Sequence, residues 1–162
     1  HRSVMSRSWK FITVWLLIAT ALFLAVQAMQ HRAERSRFSF DAASGRIELK
    51  RAPDGHFYWP GRINGLAVDF LVDTGATSTA LPLALAQQAG LVLEGSLRSS
   101  TAGGVVDGRL ARADVSLQGG VVAERLRVGV LPRLESPLLG MDVISKLRLT
   151  QRDGVLTLEP LR

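Results

Sequence analysis

Two rhythms of apolar and polar residues divide the chain. The first is unbroken: residues 11–29 read FITVWLLIATALFLAVQAM, where only Thr13, Thr20 and Gln27 are polar and nothing is charged. That length approaches the roughly 20 residues a helix needs to cross a bilayer core. Trp9 and Trp15 stand near its start, where an aromatic ring sits at the headgroup level. No face of such a helix is polar, which argues against a helix packed on a soluble core. The pattern predicts an N-terminal tail over 1–10, a transmembrane anchor over 11–29 and a polar juxtamembrane linker over 30–37. A cleaved signal peptide, with Val26-Gln27-Ala28 as its small-residue site, is the alternative. Met5 is a candidate start, with His1 to Val4 as upstream readthrough. Arg7 and Lys10 precede the apolar run and Arg32, Arg35 and Arg37 follow it, so charge does not fix its orientation.

The second rhythm begins at Phe38 and runs to the end, 38–162, as short β-type runs broken by turn residues. Ile47 and Leu49 alternate with charged residues before Pro53-Asp54-Gly55 turns the chain. His56 to Trp59 is a second strand, ended by Pro60-Gly61. Asn64-Gly65 is a two-residue hairpin signal, followed by Leu66 to Val72. Leu81 to Ala89 has helix-forming composition, with Pro82 in the first turn and Gly90 as the stop. Strands resume over Ser96 to Ala102, Val105 to Val115 and Val121 to Val130. Met141 to Lys146 reads as a short helix, and Leu147 to Leu158 as a hairpin across Asp153-Gly154. Many short strands without strand–helix alternation predict an all-β barrel or sandwich carrying one or two short helices.

Composition narrows the chemistry. Apolar content of 47% against 21% charged describes a chain that folds. The formal charge of +6 raises nucleic acid as a partner. The arginines are scattered singly, however, with few aromatics to stack on bases, so no nucleic-acid partner is expected; a basic surface beside anionic lipid fits equally. Without cysteine there is no thiolate chemistry and no zinc–thiolate site. His1, His31 and His56 lie too far apart for metal-ligand spacing, so no metal and no cofactor is expected.

One stretch stands out. Phe70-Leu71-Val72 reads as a buried strand, yet it delivers the carboxylate of Asp73, followed by Thr74, Gly75 and Ala76. An unpaired carboxylate leaving a core costs several kcal/mol. The run from Phe70 to Thr77 resembles the active-site motif of retropepsin-like aspartic proteases, an apolar strand followed by Asp-Thr/Ser-Gly-Ala. Pro137-Leu138-Leu139-Gly140-Met141-Asp142 resembles the apolar-apolar-Gly element that this family carries before its C-terminal helix. Thr101, Ala102, Gly103 and Gly104 lie where the family places its flap. The resemblance covers about Ile47 to Leu158 and, with the apolar N-terminal segment, is strongest to the membrane-anchored bacterial branch.

The resemblance implies a closed β-barrel of the acid-protease fold and an endopeptidase acting on polypeptides. General acid–base hydrolysis of an amide needs both an acid and a base. Two carboxylates sharing one proton supply both, as aspartic proteases in general show. This chain offers one such motif, since Asp54 and Asp153 precede glycine in turns. A homodimer is therefore expected, with Asp73 and its symmetry mate as the dyad. By resemblance, Thr74 braces the two loops across the dimer, Gly75 permits the tight turn and Ala76 lines the groove. Leu138, Leu139 and Gly140 support the loop from behind, and Gly103-Gly104 forms the tip of a closing flap. Thr77 stands where viral members carry a second aspartate, and Met141 where they carry arginine, so the ion pair of those residues is missing here. Val155 to Leu161 is the candidate for an intersubunit sheet. The expected place is the bacterial inner membrane, single-pass, with the catalytic domain outside the cytoplasm.

Three other readings compete. Asp73-Thr74-Gly75 alone could be a turn in which aspartate caps backbone amides. Asp-Thr-Gly-Ala-Thr also matches an Asp-x-Gly-x-Thr phosphate loop of sugar kinases, which needs a far larger two-lobed domain. A non-catalytic peptide-binding module on the same fold is the third, and it has no need of an intact Asp-Thr-Gly.

Overall fold

A computed structural model describes residues 4–161. Residues 1–3 of the expected tail and upstream segment, and Arg162 at the end of the expected domain, lie outside the described residues. The chain divides into two compact units, one ending at Ser36 and one beginning at Arg37.

The first unit is one helix, α1 (Val4–Arg35). Its described apolar side chains are exposed, with Trp9, Phe11, Leu17 and Met29 each more than 60% so. The stretch Trp9–Arg35 is long and apolar enough to cross a membrane, a property a signal sequence shares. The two threonines do not leave hydroxyls bare on this surface. Thr13 donates to the Trp9 carbonyl at 3.0 Å and Thr20 to that of Leu16 at 2.8 Å. Arg32 and Arg35 occupy the last turn, where cations complement the helix dipole. The helix extends beyond both ends of 11–29, taking in residues 4–10 and the linker as far as Arg35.

The second unit is all-β with two short helices. Its elements run β1 (Phe38–Asp41), β2 (Arg46–Lys50), β3 (Tyr58–Ile63), β4 (Leu66–Val72), β5 (Ala80–Pro82) and α2 (Leu83–Gln88). They continue through β6 (Gly95–Thr101), β7 (Gly104–Leu117), β8 (Val121–Leu131), β9 (Leu138–Leu139), α3 (Met141–Ile144), β10 (Leu147–Arg152) and β11 (Val155–Pro160). One sheet follows the order β3-β4-β9-β5-β8-β7-β6, and an added β3–β7 pairing closes it into a barrel with β6 outside the ring. The other sheet has the order β1-β2-β11-β10. Trp59, Phe70, Leu81, Leu139 and Ile144 fill the core, joined by Ile47, Leu49 and Leu158 of the small sheet. The Trp59 indole N–H donates to the Gln118 carbonyl at 2.8 Å, so its polar edge is satisfied inside.

The two hairpin signals form as expected. Asn64-Gly65 and Asp153-Gly154 hold positive φ at both turn positions, the geometry that matches the twist of paired strands. Four expectations need correction. The expected helix over Leu81 to Ala89 begins only at Leu83, because Ala80–Pro82 pairs with Gly129–Leu131 of β8 and buries Leu81 completely. Pairing overrides helix-forming composition there. The strand from His56 does not end at Pro60-Gly61. Pro60 spends its carbonyl on Gln118 N–H, and Gly61 lies where any Cβ would sit 2.4 Å from the Ser116 carbonyl oxygen, so the strand continues to Ile63. Leu71 and Val72 are half-buried rather than sealed in the core, although Phe70 is wholly buried. Lastly, β11 lies between β2 and β10 with both edges paired, so Val155 to Leu161 is no free edge; the outer strands of that sheet are β1 and β10.

Candidate active site

The site is a loop, residues 73–79, slung between β4 and β5. What fixes it is β9, inserted between those two strands. Leu71 and Val72 pair in parallel with Leu138 and Leu139, and Ala80 pairs with Leu138 from the other side. The motif Leu138-Leu139-Gly140 therefore wedges apart the two arms of the loop and packs behind it. Leu139 is fully buried, while Leu138 is half-buried. Gly140 has no room for a side chain: a Cβ would stand 2.5 Å from the Ser78 carbonyl carbon and 2.9 Å from the Thr79 nitrogen. The glycine is required by this close approach and not by its backbone angles, since its φ of −96° is open to any residue.

Asp73 sits at the start of the loop, half-buried. Its N–H donates to the Leu139 carbonyl at 3.0 Å, and its carbonyl accepts the Ala76 N–H at 3.2 Å, closing a tight turn. The Gly75 N–H donates to Asp73 Oδ1 at 2.9 Å. Oδ2 accepts no hydrogen bond among the described residues. Thr74 and Gly75 are exposed and Ala76 is half-buried, so the motif presents an open surface around the carboxylate. The arrangement combines the turn-capping contact of a structural aspartate with a second oxygen left available.

The expected flap residues lie at the tip of the β6–β7 hairpin. Thr101 pairs with Gly104 across the turn, Thr101 Oγ1 donates to the Gly104 carbonyl at 2.9 Å, and all four residues from Thr101 to Gly104 are exposed. Further down the hairpin, Arg98 and Asp107 form an exposed ion pair at 3.2 Å, a contact of small energetic value. The sequence reading missed two residues. Thr79 is the only buried polar residue among those described, and the Asp142 carboxylate accepts both its N–H at 2.9 Å and its hydroxyl at 2.8 Å. The available signal was an acidic residue directly after Leu-Leu-Gly-Met; nothing in the sequence marks Thr79 as its partner.

Known proteins share this plan. A family model described as aspartyl protease matches residues 59–143, slightly more than half of the chain and all of the elements around the loop. Among solved structures, a retropepsin-like aspartic protease from Rickettsia conorii superimposes with a TM-score of 0.57 at 25% identity, covering 76% of this chain and 95% of that one. EIAV protease complexed with the inhibitor HBY-793 shares the fold, with a TM-score of 0.50 at 18% identity over 60% of this chain and 92% of that one. Curated relatives include an uncharacterized protein of Rickettsia prowazekii (strain Madrid E), 26% identical over 86% of this chain. Another is an uncharacterized protein from the cobV 5′ region of a Sinorhizobium species, 28% identical over 86% of this chain. The chain spans 63% of the length of the first of these and 68% of the second. With a matching family model across the loop and its supports, and a barrel shared with retropepsin-like enzymes, this chain belongs to the aspartyl protease family.

Proposed function

We propose that the chain is an aspartic endopeptidase whose catalytic dyad is Asp73 and the Asp73 of a second copy. The observation that carries this reading is the state of Asp73: backbone and Oδ1 are pinned by the loop, while Oδ2 accepts nothing from the described residues. A lone carboxylate can be a base or an acid, but not both in one step. Two of them about 3 Å apart share a single proton. The ionised partner takes a proton from water as the water oxygen attacks the scissile carbonyl carbon. The protonated partner gives its proton to the carbonyl oxygen. The resulting gem-diol collapses with the C–N bond breaking, and a proton passes to the leaving nitrogen. In this reading Thr74 braces the two loops, Gly75 and Ala76 shape the groove floor, and the tip from Thr101 to Gly104 closes over an extended polypeptide and excludes water.

The domain plan follows: a membrane anchor over 11–29 joined to a protease domain over 38–162. The length and unburied apolar surface of this helix support a membrane-spanning segment. A single pass of the inner membrane and a protease domain outside the cytoplasm are taken from the resemblance to the membrane-anchored bacterial branch. Confinement to one surface favours pairing by raising effective concentration. The decisive comparison is a peptide-library digest by the wild-type chain beside Asp73→Asn. Wild-type cleavage that the variant lacks, with folding intact, is the expected result. Turnover in Asp73→Asn equal to wild type would defeat the assignment, and peptide binding without cleavage by either would favour a non-catalytic module.

A further inference from the structure

The loop that carries Asp73 is held at both ends, and its far end is held by a side chain. Thr79 is wholly buried, and both side-chain hydrogen bonds of its hydroxyl go to one neighbouring segment. Its hydroxyl donates to Asp142 Oδ1 at 2.8 Å and accepts the Gly140 N–H at 3.2 Å, while its own N–H donates to Asp142 Oδ2 at 2.9 Å. The Val143 N–H adds a third donor to Asp142, at 3.0 Å to Oδ1. Between the two ends, the Met141 N–H donates to the Ala76 carbonyl at 2.8 Å and the Asp142 N–H to the Thr77 carbonyl at 3.2 Å. Gly140 closes the seam by its lack of a Cβ. We propose that Asp142 is a positioning residue, which sets the reactive carboxylate of Asp73 by clasping Thr79; the inference rests on the proteolytic reading above.

The path from one carboxylate to the other is short and consists of hydrogen bonds. Charge-assisted bonds are roughly twice as strong as neutral ones, and a carboxylate gripping an amide and a hydroxyl together fixes direction as well as distance. Remove one acceptor oxygen and a fully buried donor on Thr79 is orphaned, a costly state that drives the loop to move away. Movement at Thr79 slackens the bonds to Thr77 and Ala76. The Ala76 N–H holds the Asp73 carbonyl, so the displacement reaches the reactive group. Both Asp142 oxygens are spent on Thr79 and Val143, so the proposal assigns its effect to the placing of the loop, and turnover should suffer more than substrate binding. The same clasp lies within one chain, so it steadies the loop without the ion pair that Thr77 and Met141 have lost.

The test uses the full-length chain in detergent and a fluorogenic peptide selected from the wild-type library digest, with Asp73→Asn as the inactive control. Asp142→Asn keeps the shape but cannot accept both Thr79 donors. Thr79→Val removes only the hydroxyl. Each is expected to lower kcat about tenfold or more with KM changed less than about threefold, since a misplacement near 1 Å costs on the order of a hundredfold. The double variant should be no worse than the poorer single one, because both break one clasp. Thr79→Ser, which retains the hydroxyl, should restore kcat to within about threefold of wild type. Wild-type kcat in folded Asp142→Asn, or losses that multiply in the double variant, would overturn the positioning role. Activity that survives in Asp73→Asn would instead sink the Asp73 dyad on which the inference rests. Amide hydrogen exchange on the wild-type chain gives a readout independent of turnover and of variant folding. Thr79 and Gly140 should exchange as slowly as the buried centre of β8; exchange as fast as the exposed Ala102 and Gly103 would refute the clasp.

Discussion

Gly140→Ala tests how tightly the support behind the loop is built. The added Cβ would lie 2.5 Å from the Ser78 carbonyl carbon, 2.7 Å from its oxygen and 2.9 Å from the Thr79 nitrogen. These are backbone atoms, so no rotamer change relieves the contact. Cβ atoms essentially never approach within 3.0 Å of heavy atoms outside their own residue and its chain neighbours, so β9 and the loop must part by about 0.5 Å. Overpacking of this kind costs about 1–3 kcal/mol. For a domain of this size each kcal/mol lowers Tm by roughly 3–5 °C, giving a fall of roughly 3–15 °C. A loop displaced by about half an ångström should also lose about tenfold in kcat, by the sensitivity of oriented groups to misplacement. Gly95→Ala is the control, since its Cβ would meet Leu110 Cδ1 at an ordinary 3.5 Å. Calorimetry and peptide turnover on both variants would decide the matter. A Gly140→Ala protein that matches Gly95→Ala in both would refute the wedge.

Two further outcomes follow from other parts of the fold. Tyr58 donates its hydroxyl to Asp54, which also accepts the His56 N–H; the Tyr58 bond lowers the carboxyl below its ordinary value and raises the phenol above its own. The depressed Asp54 contributes stability above its unfolded value of 3.8 that is lost as pH falls through the folded value. The raised Tyr58 contributes stability below 10.0 that is lost as pH rises through the folded value. Tyr58→Phe should therefore reduce Tm at neutral pH, and the difference from wild type should shrink as pH falls below 3.8 through the lowered folded value of Asp54; an equal difference at every pH would contradict the coupling. On topology, protease shaving of spheroplasts should remove the domain from intact cells, and protection until lysis would reverse the proposed orientation.

Legibility in the sequence followed how local each constraint was. The Asn-Gly and Asp-Gly turns, the apolar helix and the Gly90 stop are set by residues adjacent in the chain, and all formed. The helix start at Leu83 was misjudged because a partner strand some distance away claimed Ala80–Pro82. Pro60-Gly61 looked like a break until the close crossing of β3 over β7 explained both residues. Asp73 and Leu-Leu-Gly could be picked out by resemblance, and the structure brings them together through the Asp73 N–H and Leu139 carbonyl. The partnership of Thr79 with Asp142 could not, because no periodicity connects residues so far apart. The terminal strand was misplaced for the same reason: edge or centre is decided by neighbours, not by composition.

If one active site needs two copies of Asp73, mixing active and inactive subunits separates a shared dyad from chains that work alone. Wild-type and Asp73→Asn chains would be co-expressed in equal amounts under two tags, with tandem purification confirming that mixed pairs form. Specific peptidase activity of the whole pool would then be compared with pure wild type at the same total concentration. If each dyad draws one carboxylate from each chain and pairing is random, about one quarter of wild-type activity remains, because only wild-type pairs are competent. About one half would mean that each chain works alone, and would contradict the shared dyad.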